Sequence, residues 1–158
     1  MFSEWLAHKK PSVLGIISGA VAGLVAITPA SGYVGPVGAL WIGAAAGVGC
    51  FFAATTIKRA VGYDDSLDAF GVHAVGGIIG ALLTGVFALK AVCGTSGLLE
   101  GNPGQVLIQL EGICATIIWT AVATFVILIV TNILTGVRVS QAVEVEGLDI
   151  NLHGEVVP

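Results

Sequence analysis

The chain has 158 residues, of which 56% are hydrophobic and only 10% charged, and its mean hydropathy is +0.98. Long uncharged runs at that charge content exclude a soluble globular domain and define an integral membrane protein. The 23 glycines exclude a soluble helical bundle in particular, where each would cost about 1 kcal/mol against alanine. Between membrane helices they permit close contact instead. The net charge of −4 comes mostly from loops and the C-terminal end, so it implies no nucleic-acid partner. Cys50, Cys93 and Cys114 are scattered, form no metal-ligand or disulfide pattern, and imply no cofactor.

Residues 1–10 are a short polar lead ending in Lys9-Lys10. No charge follows from Pro11 to Ile57, a run of 47 residues, which is too long for one crossing. The segment TPASGYVGP at 28–36 punctuates that run with two prolines and two glycines, a turn signal. One span is therefore expected at about 12–27 and a second at about 37–57. A cleaved leader is the rival reading of the first. Against it, the next span begins a few residues on, and Gly15, Gly19 and Gly23 form an i+4 stripe suited to packing. The second span has its own small-residue row, Ala39, Gly43 and Gly47, and ends at Lys58-Arg59.

The third span, expected at about 68–89, organises the rest. It opens with Asp64, Asp65 and Asp68, then carries no charged residue from Ala69 to Leu89 apart from His73, 21 residues that suffice for a crossing. The acids suit a first helical turn, where Asp65 or Ser66 can cap free N–H groups and negative charge favours the dipole. At about 1.5 Å per residue, His73 lies about 10 Å along the axis from Ser66, well inside the hydrocarbon. Below it, Gly77, Ala81 and Gly85 recur at i+4, with Gly76, Gly80 and Thr84 beside them. This face has almost no side chains, so a neighbouring helix or a narrow pore can approach its backbone. One reading of His73 is a histidine hydrogen-bonded to a neighbouring helix. The sharper one is a residue on a substrate or proton path, because ionisable groups inside a bilayer are expensive and tend to mark such paths.

A glycine-rich loop at 90–105 leads to a fourth span at about 106–134. Between Glu111 and Arg138 it has 26 uncharged residues, enough to require tilt. Ile, Val and Thr dominate there, as in a lipid-facing outer helix. Lys9, Lys10, Lys58, Arg59 and Arg138 fall on one side of a four-span chain and Lys90 on the other, so both termini are expected in the cytoplasm. The expected division is a transmembrane region at 1–138 and a cytoplasmic tail at 139–158. The tail's EGLDINLHGE segment is too patterned for a merely solvated extension.

The string DDSLDAFGVHAVGGIIGALLTGVFA at 64–88 closely resembles the penultimate-helix signature of the Amt/Mep ammonium transporters. KPSVLGIISGAVAGLVAITPASGYVGPVGALWIG at 10–43 resembles that family's preceding helix pair with its Thr-Pro-Ala turn. The tail's EGLDINLHGE resembles its C-terminal cytoplasmic motif, departing at the ending Val156-Val157-Pro158. The related Rh branch shares the histidine but matches the tail less well. The resemblance implies an all-α membrane protein whose four transmembrane helices correspond to the last four of about eleven in an inverted-repeat fold with a pore between its halves. The first half, with the first pore histidine and the outer aromatic gate, is not in this sequence, so the chain is expected to be a fragment, one piece of a split gene or a truncated frame.

The implied function is transmembrane transport of ammonium or ammonia at the cell membrane. His73 then matches the second pore histidine and Thr28 a pore-adjacent threonine. Asp65 and Asp68 match acids at the cytoplasmic helix start, read first as caps and second as support for conduction, and Gly76, Gly77 and Gly80 line a close-packed pore wall. An apolar pore disfavours a charged ring, and a neutral imidazole has one donor and one acceptor nitrogen. It can therefore hand on a proton or hold ammonia without a permanent charge. Gly147, Leu148, Asp149, His153, Gly154 and Glu155 would form a regulatory tail, with a homotrimer and a PII nitrogen-signalling protein as partners besides the lipid bilayer. Two other classes stand beside this reading. A non-transporting membrane sensor or remnant subunit is one. A small four-helix exporter is the other, and it lacks a carboxylate deep in a span, since Glu111 sits near a span end. An enzyme is disfavoured, because no nucleophile–base pair or metal cluster is apparent.

Overall fold

The computed structural model describes residues 2–156; the departure from the family wording at Val157 and Pro158 lies outside them. The described residues are mainly helical: α1 Phe2–His8, α2 Val13–Ile27, α3 Pro36–Val61, α4 Phe70–Phe87, α5 Lys90–Cys93, α6 Gly104–Leu134 and α7 Gln141–Glu146. Four of these segments are long and apolar enough to cross a membrane: Val13–Ala30, Pro36–Val61, Phe70–Phe87 and Gly104–Leu134. The chain divides into two compact units, one ending at Cys114 and the other beginning at Ala115.

In the first unit, α2, α3 and α4 pack on one another through three rows of small residues, each with a strict four-residue repeat. The rows are Ala22, Ala26 and Ala30; Gly38, Ile42, Ala46 and Cys50; and Val72, Gly76, Gly80 and Thr84. Repeats of four favour ridges-into-grooves packing of close helices. A Cβ on Gly80 would overlap the Ala26 carbonyl, and one on Gly76 would press the Cys50 sulfur and Val25. The expected rows in the first two helices stand one position off these. Gly23, Gly43 and Gly47 have nothing within 4 Å of an added Cβ. A helix turns about 100° per residue, so adjacent small-residue rows look alike in sequence but face different ways.

Each helix end has a local cause. Ser12 caps α2, its Oγ accepting the Gly15 N–H at 2.9 Å, and is itself held by Glu4, whose carboxylate accepts the Ser12 N–H and hydroxyl. The Thr-Pro-Ala segment continues α2 as one 3-10 turn, Thr28–Ala30, before the chain bends. Helix α3 starts on Pro36, runs past Lys58 and Arg59, and stops at Gly62 with φ 70°. Helix α4 begins later and ends earlier than 68–89, because Ala88 and Leu89 are extended. Ala88 forms a bridge with Val34, and the Leu89 N–H donates to the Tyr33 carbonyl at 3.0 Å. The following loop folds back under Gly97, whose N–H donates to the Ala88 carbonyl at 2.8 Å.

In the second unit, the C-terminal part of α6 is followed by α7 and a π turn at Asp149–His153. The Arg138 guanidinium grips Glu144 with two bonds, Nε to Oε1 at 2.7 Å and Nη2 to Oε2 at 3.1 Å.

Candidate functional site

The start of α4 is where the sequence motif acquires geometry. Asp65 caps it with both carboxylate oxygens, accepting the Ala69 N–H at 2.8 Å and the Phe70 N–H at 2.9 Å. Asp68 has no place in the first turn. It stands just before the helix with φ 54° and takes the Lys58 ammonium at 2.6 Å. A positive φ is costly for a residue with a Cβ, although Asp tolerates it better than most. The three acids thus precede the helix, because the chain needs the bend at Asp68 to bring its carboxylate to the end of α3.

From Phe70 to Ala74 the helix is wound as a π turn, closed by the Val75 N–H donating to the Phe70 carbonyl. Extra-wide turns of this kind concentrate at functional sites. Gly71 and Val72 are buried toward α3, and His73, the next residue, is exposed and makes no hydrogen bond among the described residues. One turn on, Gly77 has nothing within 4 Å of an added Cβ, whereas Gly76 and Gly80 are the tight contacts. The three glycines expected to form one close-packed wall therefore separate. Gly76 and Gly80 hold helices together, and Gly77 faces open space on the side of His73.

Thr28 is exposed, its hydroxyl donating to the Leu24 carbonyl at 2.7 Å. Gly80 packs on Ala26, so Thr28 stands near the Gly80 level. That is seven residues, or about 10 Å along the axis, from His73. The two are not brought together in this chain. Clefts open at both ends of α4. One, of about 380 Å³, is lined by Glu4, Ser18, Thr55, Ser66, Asp68 and Val72. The other, of about 360 Å³, is lined by Tyr33, Thr84, Cys93, Thr95, Gln105 and Gln109.

The tail residues gather locally. Gly147 (φ 116°) and Gly154 (φ 66°) bracket the π turn that begins after Leu148 and contains Asp149 and His153. The Glu155 N–H donates to the Asp149 carbonyl at 3.1 Å, closing the hook, and Asn151 Nδ2 ties it to Glu146 and to the Gly147 carbonyl. Two residues at the histidine turn escape the sequence reading, Gly71 within it and Ala54 against it, and Cys50, a small buried residue, lies beside them. A Cβ on Gly71 would sit 2.9 Å from the Ala54 nitrogen, and the Cys50 thiol lies 3.7 Å from the Val72 carbonyl. Their only signal is small size at helix-contact spacing, shared with many neighbours that touch nothing.

Four crossing-length apolar helices, three of them joined by small-residue rows, define a multi-pass α-helical membrane protein. The family model described as Ammonium Transporter Family matches residues 1–157. The chain is 57% identical over 155 residues to the ammonium transporter of Aquifex aeolicus (strain VF5), covering 98% of this chain and 36% of that protein. Its fold is similar to the crystal structure of Saccharomyces cerevisiae Mep2, with a TM-score of 0.79 and 36% identity, over 89% of this chain and 33% of that one. It is also similar to a solved Sensor Amt Protein, with a TM-score of 0.80 and 28% identity, over 94% of this chain and 36% of that one. The chain belongs to the ammonium transporter family, among transporters rather than enzymes, and spans about a third of the length of these relatives.

Proposed function

We propose that this chain contributes the closing part of an ammonium or ammonia conduction path and that His73 is its working side chain. The observation that carries this reading is the split on α4: one row is committed to helix packing, while His73 and Gly77, on another, are left open. An imidazole there can accept a hydrogen bond from ammonium or donate one to ammonia, and Gly77 leaves room for a narrow passage beside it. Thr28, about two turns farther along, would line the same passage. Asp65 acts as a cap, and Asp68 anchors the helix start through Lys58. The basic residues argue for cytoplasmic termini in the cell membrane, which puts the hook around Gly147, Leu148, Asp149, His153, Gly154 and Glu155 where a PII protein or a neighbouring subunit of a homotrimer could engage it.

The test joins this chain behind the part of the Aquifex relative that precedes the matched region and measures methylammonium uptake. Uptake that changes in rate, or in ion-versus-gas selectivity, with His73→Ala supports the assignment. An unchanged joined protein would reduce His73 to packing. The similarity to a Sensor Amt Protein favours a second reading, in which the same path reports ammonium to a partner. Binding without net uptake in the joined protein would favour it.

A further inference from the structure

The histidine turn is held from behind by a contact that uses no side chain of its own. Gly71 lies two residues before His73 on the π turn, and its α-carbon face is pressed against the backbone of Ala54. An added Cβ would meet the Ala54 nitrogen at 2.9 Å, its Cα at 3.0 Å and its Cβ at 3.1 Å. Ala54 itself belongs to another π turn, Ala53–Ile57, in α3. Two widened turns on neighbouring helices thus meet backbone to backbone. Beside them, the buried Cys50 thiol points at the carbonyl of Val72, the residue that links Gly71 to His73.

This arrangement bears on where the imidazole goes. A π turn inserts an extra residue into the helical repeat and rotates the later part of the helix relative to the earlier part. Val72, Gly76, Gly80 and Thr84 keep one contact row and His73, one position on, stands about 100° from it, so what the wide turn sets is the rotation of both relative to the capped start of α4. Without the wide turn, the capped start of α4 at Asp65 and the packing row further along would be joined at a different rotation. The turn has room to be wide on the α3 side only because position 71 has no Cβ.

We infer that Gly71, supported by Cys50, is a positioning residue for His73, setting the direction of the imidazole through the paired π turns. The inference rests on the conduction reading for its consequence but not for its test, which reads the ring directly. The 158-residue chain is placed in lipid nanodiscs with 15N-labelled histidine, and the imidazole 15N shifts of His73 are compared among variants. The His73→Ala spectrum assigns its signals.

Gly71→Ala must push the turn off Ala54, so the His73 signals should move while those of His153, in the tail, stay put. Cys50→Ala removes the thiol without adding bulk and should move the same signals by less. Gly77→Ala, one turn beyond His73 and facing open space, serves as the control and should leave the ring pattern nearly unchanged. Unmoved His73 shifts in both Gly71→Ala and Cys50→Ala would overturn the inference. If Gly71→Ala does not fold, Cys50→Ala alone decides it by the same criterion. A moved ring in a joined protein whose uptake ignores His73→Ala would keep the positioning role and sink the conduction role instead.

Discussion

At the scale of single residues, the most informative contrast is between Gly77 and Gly80, three positions apart on one helix. Gly80 admits no Cβ because the Ala26 carbonyl already occupies that place, and Gly77 admits one freely. Gly80→Ala should therefore separate α2 from α4 and destabilise the bundle by about 1–3 kcal/mol, the usual range for overpacking. Gly77→Ala should leave stability unchanged or raise it slightly through better helix propensity. Unfolding in detergent, followed by helicity, measures both, and equal losses would refute the division of the two rows. In the joined transporter the order should reverse for function: Gly77→Ala, beside the passage, should slow uptake in a protein that still folds. Asp65 gives a second residue-scale prediction. It satisfies two N–H groups at the head of α4, so Asp65→Ala should cost about 1 kcal/mol, as the loss of a helix cap does. Asp65→Asn should lose part of the cap, because an amide has one accepting oxygen and can keep only one of the two bonds.

At the scale of elements, the four crossings were legible from charge-free length and punctuation, since apolar runs long enough to span leave few alternatives in a bilayer. Their faces and ends were not. The rows Gly15, Gly19, Gly23 and Ala39, Gly43, Gly47 satisfy the same repeat as the rows that pack, and only the partner helix selects between them. The acids before α4 read as first-turn residues because a sequence cannot announce the bend at Asp68. At that bend Asp68 pairs with Lys58, ten residues earlier and on another helix. Nor could the early end of α4 be read, since Ala88 and Leu89 leave the helix to pair with Val34 and Tyr33. His73 was found through its motif and its depth, whereas Gly71 carries no chemistry and is visible only in contact.

The tail hook was legible as a pattern, and its pH behaviour is set by its structure. The Arg138 hydrogen bonds, and secondarily its charge, hold the Glu144 carboxyl below its ordinary value. A folded-state pKa below the unfolded one adds stability that is complete above the unfolded pKa and lost as pH falls through the folded one. Protection of the α7 amides, taken relative to the intrinsic exchange rate at each pH, should therefore be flat at neutral pH and fall only in acid, below the ordinary carboxylate range. The change should be modest, because the pair is exposed. Glu144→Gln should remove that acid step, and an identical step in the variant would mean another group controls the hook.

At the scale of the whole molecule, the question is what the open side of α4 is for. Membrane helices gain stability from close packing and satisfied polar groups rather than from leaving water. A face of His73 and Gly77 turned to lipid would supply neither. The ring would lie in hydrocarbon without a partner, and that is expensive for a polar group. The same exposure is sensible if the preceding helices of a longer relative close over it and form the second wall of a passage. This chain spans about a third of such relatives, so expressed by itself it should insert into membranes and yet give no methylammonium uptake. Insertion can be checked independently by thiol labelling. An impermeant reagent added outside should reach Cys93, at the cleft beside Tyr33 and Gln109, and should not reach Ser140→Cys on the cytoplasmic side. With topology secured in that way, absence of uptake alone and its appearance in the joined protein would assign the passage to the surface between the two parts. Saturable uptake by the inserted chain alone would instead require a path within these four helices. The conduction role of the open His73 face would then have to be abandoned.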